Sequence, residues 1–244
     1  MQVYISTWGD PSNWSKVKYI KEDGSDVDSF TVLPAYNNYD KILLLVQDSI
    51  LVHRGGRNNY IQSCINNANN IVLNPSNDYK KWIQAVEDYA LCSVQNAGIN
   101  KNKVKVIVLP GIGKFRGDPN GQTVEYEFGV LNVKQKSVQT QSAPSTNIGK
   151  QTKVYLPLSY IESLLAYNLY TELKGMGKED KIILDITHGI NYFHSLAQTV
   201  ATRIASLLGV KFEVIDFIPT EMNVQYMYKK VFSQDKAKFD IENI

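Results

Sequence analysis

Four clusters of small and polar residues stand directly behind apolar runs in this sequence, and the candidate chemistry lies in them. They are Gly9-Asp10-Pro11-Ser12-Asn13-Trp14, then Asp48-Ser49, then Pro110-Gly111-Ile112-Gly113-Lys114, and last Thr187-His188-Gly189-Ile190-Asn191. Glycine permits close backbone approach, and the unpaired N–H groups at a helix start hold phosphate. A histidine set between a threonine and a glycine, directly behind a strand, offers an imidazole to a phosphate or a base. The types point to a phosphate-bearing ligand.

Other chemistries fit less well. Gly111-Ile112-Gly113 opens like a dinucleotide fingerprint, but Arg116 stands where the third glycine belongs and Gly117 comes one residue later. A dinucleotide oxidoreductase is therefore not expected. Cys64 and Cys92 form no C-x-x-C pair and the three histidines are scattered, so neither a metal site nor a cofactor is expected. The cysteines are expected as reduced, buried thiols, with a single disulfide as the alternative. His194 reads as a packing residue, and His53-Arg54-Gly55-Gly56-Arg57 as a solvated basic loop.

The elements that must position these clusters alternate in type. Strands are expected over residues 2–7, 41–46, 103–109, 181–186, 210–218 and 222–231, and helices over 79–95, 157–173 and 193–208, with partial helix over 58–70. The run at 42–46 is aliphatic throughout and that at 181–186 mostly so, as in parallel strands covered on both faces. Tyr160, Leu164, Tyr167 and Leu169 are expected to form the apolar stripe of the helix over 157–173. A hairpin turning near Asp23-Gly24 joins residues 16–20 to 29–33, a short helix is expected within 32–39, and a second hairpin within 123–134. Residues 139–151 read as a mobile loop. The fold class is α/β: a Rossmann-like three-layer sandwich with a mainly parallel sheet plus β-hairpin insertions. In such sheets ligands bind beyond the carboxyl ends of the strands, which is where the four clusters fall.

A length of 244 residues suits one large α/β domain, expected over 1–232, with 233–244 as a tail or the start of a further domain. The formal charge of +2 is too small to name a polyanionic partner. The longest aliphatic run, 42–46, is too short to span a bilayer, and no signal peptide is evident, so a cytoplasmic location is expected with no membrane partner.

Leu184-Asp185-Ile186-Thr187-His188-Gly189-Ile190-Asn191-Tyr192 resembles the D-[LI]-T-H-G-x-N signature of the Csx-type CARF proteins of archaeal type III CRISPR systems. Gly9-Asp10-Pro11-Ser12-Asn13-Trp14 is similar to that family's first nucleotide-binding loop, and Leu45-Val46-Gln47-Asp48-Ser49-Ile50 to the end of its next core strand. The resemblance implies a homodimer whose two domains form one pocket for cyclic tetra-adenylate, a two-fold ring met by an isologous pair of loops. It makes Gly9, Asp10, Ser12, Asn13, Asp48, Ser49, Thr187, His188, Gly189 and Asn191 candidate contacts. Strand-end position adds Gly111, Gly113 and Lys114.

Members of this group usually carry a C-terminal HEPN ribonuclease domain, marked by an arginine followed after a short gap by a histidine. Arg54, Arg57, Arg116 and Arg203 are the arginines here, and none has a histidine at that spacing. Two functions remain. One is a sensor that only binds the ring. The other is a metal-independent ring nuclease in which Lys114, His188 and Ser12 supply a cation, a proton donor and a hydrogen bond to an in-line attack by a ribose 2′-OH. A transcription regulator is weaker, because no helix-turn-helix segment is left once the α/β elements are assigned; direct DNA binding is not expected.

Overall fold

The structure, a computed structural model, describes residues 1–35, 39–52, 58–69, 79–111, 114–117, 122–127, 130–135, 158–189, 191–221 and 224–232. The expected loop at 139–151 and the expected tail at 233–244 lie outside the described residues.

The aliphatic runs form the centre of the sheet. β1 (Gln2–Trp8) lies between β4 (Lys41–Gln47) and β9 (Lys181–His188), parallel to both, so that Ile5 pairs with Leu43 on one side and Leu184 on the other. β5 (Val104–Leu109) continues the parallel set beyond β4, and β10 (Lys211–Glu221) beyond β9. β11 (Val224–Phe232) pairs antiparallel with β10. The early hairpin, β2 (Val17–Ile20) and β3 (Asp26–Ser29), then docks on β11 through parallel pairing of β2. The sequence marked it as a hairpin alone; the structure makes it the edge of one eight-stranded sheet ordered β3-β2-β11-β10-β9-β1-β4-β5. Gly24, at a φ of +78°, makes the turn where a side chain would be strained. A separate antiparallel sheet holds β6 (Lys114–Gly117), β7 (Gln122–Glu127) and β8 (Val130–Gln135).

Helices cover both faces, giving the expected three-layer Rossmann-like sandwich. α1 (Gln62–Asn69) and α2 (Tyr79–Asn96) pack on the side of Tyr4, Ile42 and Leu44. α3 (Leu158–Leu173) and α4 (Asn191–Leu208) pack on the side of Ile5, Leu43 and Leu184. Strand alternation assigns each residue to its layer. The short helix expected within 32–39 is a 3-10 turn over Leu33–Ala35.

Two expectations are corrected. The buried stripe of α3 is Ile161, Leu165, Leu169 and Leu173, a strict four-residue repeat. Tyr160 sits one position out of phase, about 100° around the helix, and Tyr167 two positions out, on the opposite side; both face solvent, as their polar tips allow. Cys64 and Cys92 are not free thiols. They form a disulfide across α1 and α2, where helix packing brings their Cα atoms to 5.7 Å. No helix among the described residues is long and apolar enough to cross a membrane.

Candidate functional site

The strand order reverses between β1 and β9, because β1 continues to β4 on one side while β9 continues to β10 on the other. A sheet of this kind opens a crevice at that switch point, beyond the carboxyl ends of the strands. The loops leaving the two strands are joined there. Gly9 N–H donates to the His188 carbonyl at 2.7 Å, and a Cβ on Gly9 would stand only 3.3 Å from that oxygen. The Trp14 indole stacks on the His188 ring at 4.2 Å, with Trp8 edge-on behind it at 5.0 Å. Tyr19, brought in by the docked hairpin, closes the other side with its hydroxyl 2.9 Å from His188 Nε2.

This aromatic enclosure sets the charge of the histidine. Burial, aided by nearby His194, pushes His188 down to about 3, so the imidazole is neutral at physiological pH. Burial also raises the Tyr19 phenol, with Asp185 adding to the shift, so Tyr19 keeps its proton and shares a hydrogen bond with Nε2. The uncharged ring carries one N–H donor and one acceptor nitrogen.

Gly189, the next residue, is required by shape. A Cβ there would lie 2.2 Å from His194 Nε2 and 2.6 Å from Thr7 Oγ1. His194 stands in the first turn of α4, and its buried Nε2 has no hydrogen-bond partner among the described residues. Gly189→Ala is expected to destabilise the fold by about 2 kcal/mol through overpacking. Gly175→Ala, where no atom lies within 4 Å of the added methyl, should stay near wild type. Urea unfolding of the two variants makes the comparison; equal midpoints would contradict the clash.

The remaining candidates divide by where their side chains are held. Asp10 caps the 3-10 turn over Pro11–Asn13, accepting from Ser12 N at 2.9 Å and Ser12 Oγ at 2.6 Å. It also accepts from Tyr89 OH of α2 at 2.9 Å. Asn58 donates through its N–H to the Ser12 carbonyl and through Nδ2 to the Pro11 carbonyl, each at 3.0 Å, which anchors the loop from beneath. Asn13 is exposed. Asp48 is fully buried, its carboxylate accepting from Tyr79 OH at 2.7 Å and Gly111 N at 2.8 Å. A Cβ on Gly111 would stand 2.5 Å from Ser49 Oγ, so the loop after β5 lies directly on Ser49. Thr187 donates through N–H and O–H to Asp185 Oδ1 at 3.0 and 2.5 Å, and Ser6 Oγ donates to Oδ2 at 2.7 Å. Burial raises Asp185 to about 6, even though its donors pull the other way.

The structure thus brings the loops of Gly9, Asn13, His188 and Gly189 together around the crevice. Ser12, Asp48 and Ser49 are buried beneath it as its supports. Gly113 and the side chains of Lys114 and Asn191 lie outside the described residues, as does the 53–57 basic cluster. Trp14, Tyr19, Asn58, Tyr89 and Asp185 were not singled out from the sequence, although Trp14 and Asp185 stand inside the motifs quoted there. Among the described residues no three His, Cys, Asp or Glu side chains converge as a metal site would require.

Residues 3–221 match the family model described as CRISPR system endoribonuclease Csx1, CARF domain. A search of curated proteins finds no match.

Proposed function

Because the chain belongs to the Csx1 CARF-domain family, we propose that it binds cyclic tetra-adenylate in the crevice between β1 and β9. A CARF domain is a CRISPR-associated sensor of cyclic oligoadenylates; the four-membered ring, and service in an archaeal type III system in the cytoplasm, are our finer reading. The observation that carries it is the joining of the two loops at the switch point, Gly9 N–H to the His188 carbonyl at 2.7 Å. Glycines at 9 and 189 let the two loops pack closely, the start of α4 supplies N–H groups for a phosphate, and neutral His188 adds one donor without a buried charge. A two-fold ring is best met by a homodimer that presents each loop twice, with α4 and the β6–β8 region as the proposed contact.

Binding without cleavage is favoured over a ring nuclease. The Ser12 hydroxyl is committed to Asp10 at 2.6 Å, and an imidazole pushed down to about 3 is a poor proton donor. The test is incubation with radiolabelled cyclic tetra-adenylate, separating bound ring from linear product. Wild type is expected to hold the ring intact. His188→Ala should weaken binding by about 2 kcal/mol, the usual loss of a hydrogen bond to a charged group, with its circular dichroism unchanged. Failure of wild type to bind at micromolar protein would sink the sensor reading, and linear product from wild type would establish the nuclease.

A further inference from the structure

A hollow of about 500 Å³ opens beside Trp14, between residues 12–16 and the Asn58-Asn59-Tyr60 segment. Its wall is an aromatic ring held out to solvent. Tyr60 is 52% exposed, yet its ring lies nearly parallel to buried Phe30, 6.0 Å away at 18°. Its backbone is fixed as well, for Tyr60 N–H donates to Asn58 Oδ1 at 3.0 Å, and Asn58 is itself tied to the loop after β1. The ring is therefore backed by Phe30, exposed, and tied through Asn58 to the loop after β1. The groups around it are polar: Asn13 and Asn59 are exposed, and the exposed Lys16 ammonium sits 5.9 Å from the Tyr60 ring centroid.

We propose that this hollow is the base pocket of the site, in which an adenine of the bound nucleotide stacks on Tyr60 and is read by the amides of Asn13 and Asn59. The inference rests on the sensor reading above and adds to it the residues that set base specificity. An aromatic face suits any base, because every base has a π-face, so Tyr60 supplies affinity. A side-chain amide presents a donor and an acceptor side by side, the complement of the adjacent amino group and ring nitrogen of adenine. Lys16 completes the exchange. Its ammonium lies over the Tyr60 ring, 5.9 Å from the centroid, and a base stacked on that face would displace it toward the phosphates that flank the base.

The experiment uses two probes on the full chain: radiolabelled cyclic tetra-adenylate for affinity, and the same ring carrying one 2-aminopurine for stacking. Tyr60→Leu keeps apolar contact with Phe30 but removes the flat face, and Tyr60→Phe keeps the face. Wild type and Tyr60→Phe should bind within about threefold of each other and quench the 2-aminopurine, whereas Tyr60→Leu should bind about tenfold or more weakly and leave the fluorescence high. Wild type should also prefer the adenine ring to cyclic tetra-inosinate, which carries a 6-oxo group, and Asn13→Ala with Asn59→Ala should narrow that preference. If wild type binds the ring while Tyr60→Leu binds and quenches equally well, the base pocket is overturned and the sensor reading stands. If wild type binds neither ring, the sensor reading fails and this inference with it.

Discussion

Replacing Cys92 by serine, or reducing the Cys64–Cys92 disulfide, is expected to lower the unfolding free energy by about 3.5 kcal/mol. The bridge closes a segment of 28 positions, and a loop of that size removes roughly this much chain entropy from the unfolded state. The native structure depends on it locally as well. α1 has eight residues, QSCINNAN, too few and too rich in asparagine to be helical alone. It is held by burying Cys64, Ile65 and Ala68 against α2, with Asn96 Nδ2 donating to the Cys64 sulfur at 3.1 Å. Urea unfolding with and without a phosphine reductant measures the loss, and hydrogen exchange locates it. Protection should vanish first in α1, while α2, which buries Trp82, Val86 and Tyr89, keeps its own. Unchanged midpoints on reduction would mean that packing alone holds α1 in place.

The elements that the sequence made legible are those whose signal is local. The aliphatic-rich runs at 41–46, 103–109 and 181–186 became parallel strands of one sheet, the first two side by side and the third across β1 from them, because long apolar stretches of this length suit strands covered by helices. The crevice loops were legible for a related reason: glycines and turn formers stop each strand where the fold needs an opening. The α3 stripe was misjudged because tyrosine counts as apolar by type yet is content at a surface, and a shift of one residue turns the helix by about 100°. The docking of β2 on β11 joins residues too far apart for either segment to announce the other. The same distance hid the chemistry of the site. The partners that set it, Tyr89 for Asp10, Tyr19 for His188 and Ser6 for Asp185, are 79, 169 and 179 positions away. A histidine behind a strand can be found by inspection; the tyrosine that bonds it comes from the docked hairpin, 169 positions away.

The second large effect concerns Asp185, beneath that histidine. Between pH 7 and pH 4 the wild type should gain about 3 kcal/mol of stability relative to Asp185→Asn. The carboxyl is fully buried and raised to about 6, against 3.8 for an ordinary aspartate. A group whose folded value is raised contributes stability that is complete below the unfolded value and lost as pH rises through the folded one. About two units at 1.36 kcal/mol each give the magnitude. Asparagine keeps the shape: its Oδ1 still accepts from Thr187 N–H and O–H, and its amide can donate to the Ser6 hydroxyl. Its amide has no titration in this range, so the difference between the two proteins isolates Asp185. Taking a difference is necessary because His188 runs the other way. Its value is depressed, so acid destabilises the fold as pH falls below about 6.5. In wild type the two trends oppose each other between about pH 4 and 6 and leave a shallow profile. Without Asp185 the depressed His188, joined by the depressed His194, makes the variant more acid-labile than wild type over the same interval. Chemical denaturation of both proteins across this range reads the difference directly; parallel pH profiles would mean that Asp185 ionises as freely in the folded protein as in the unfolded chain.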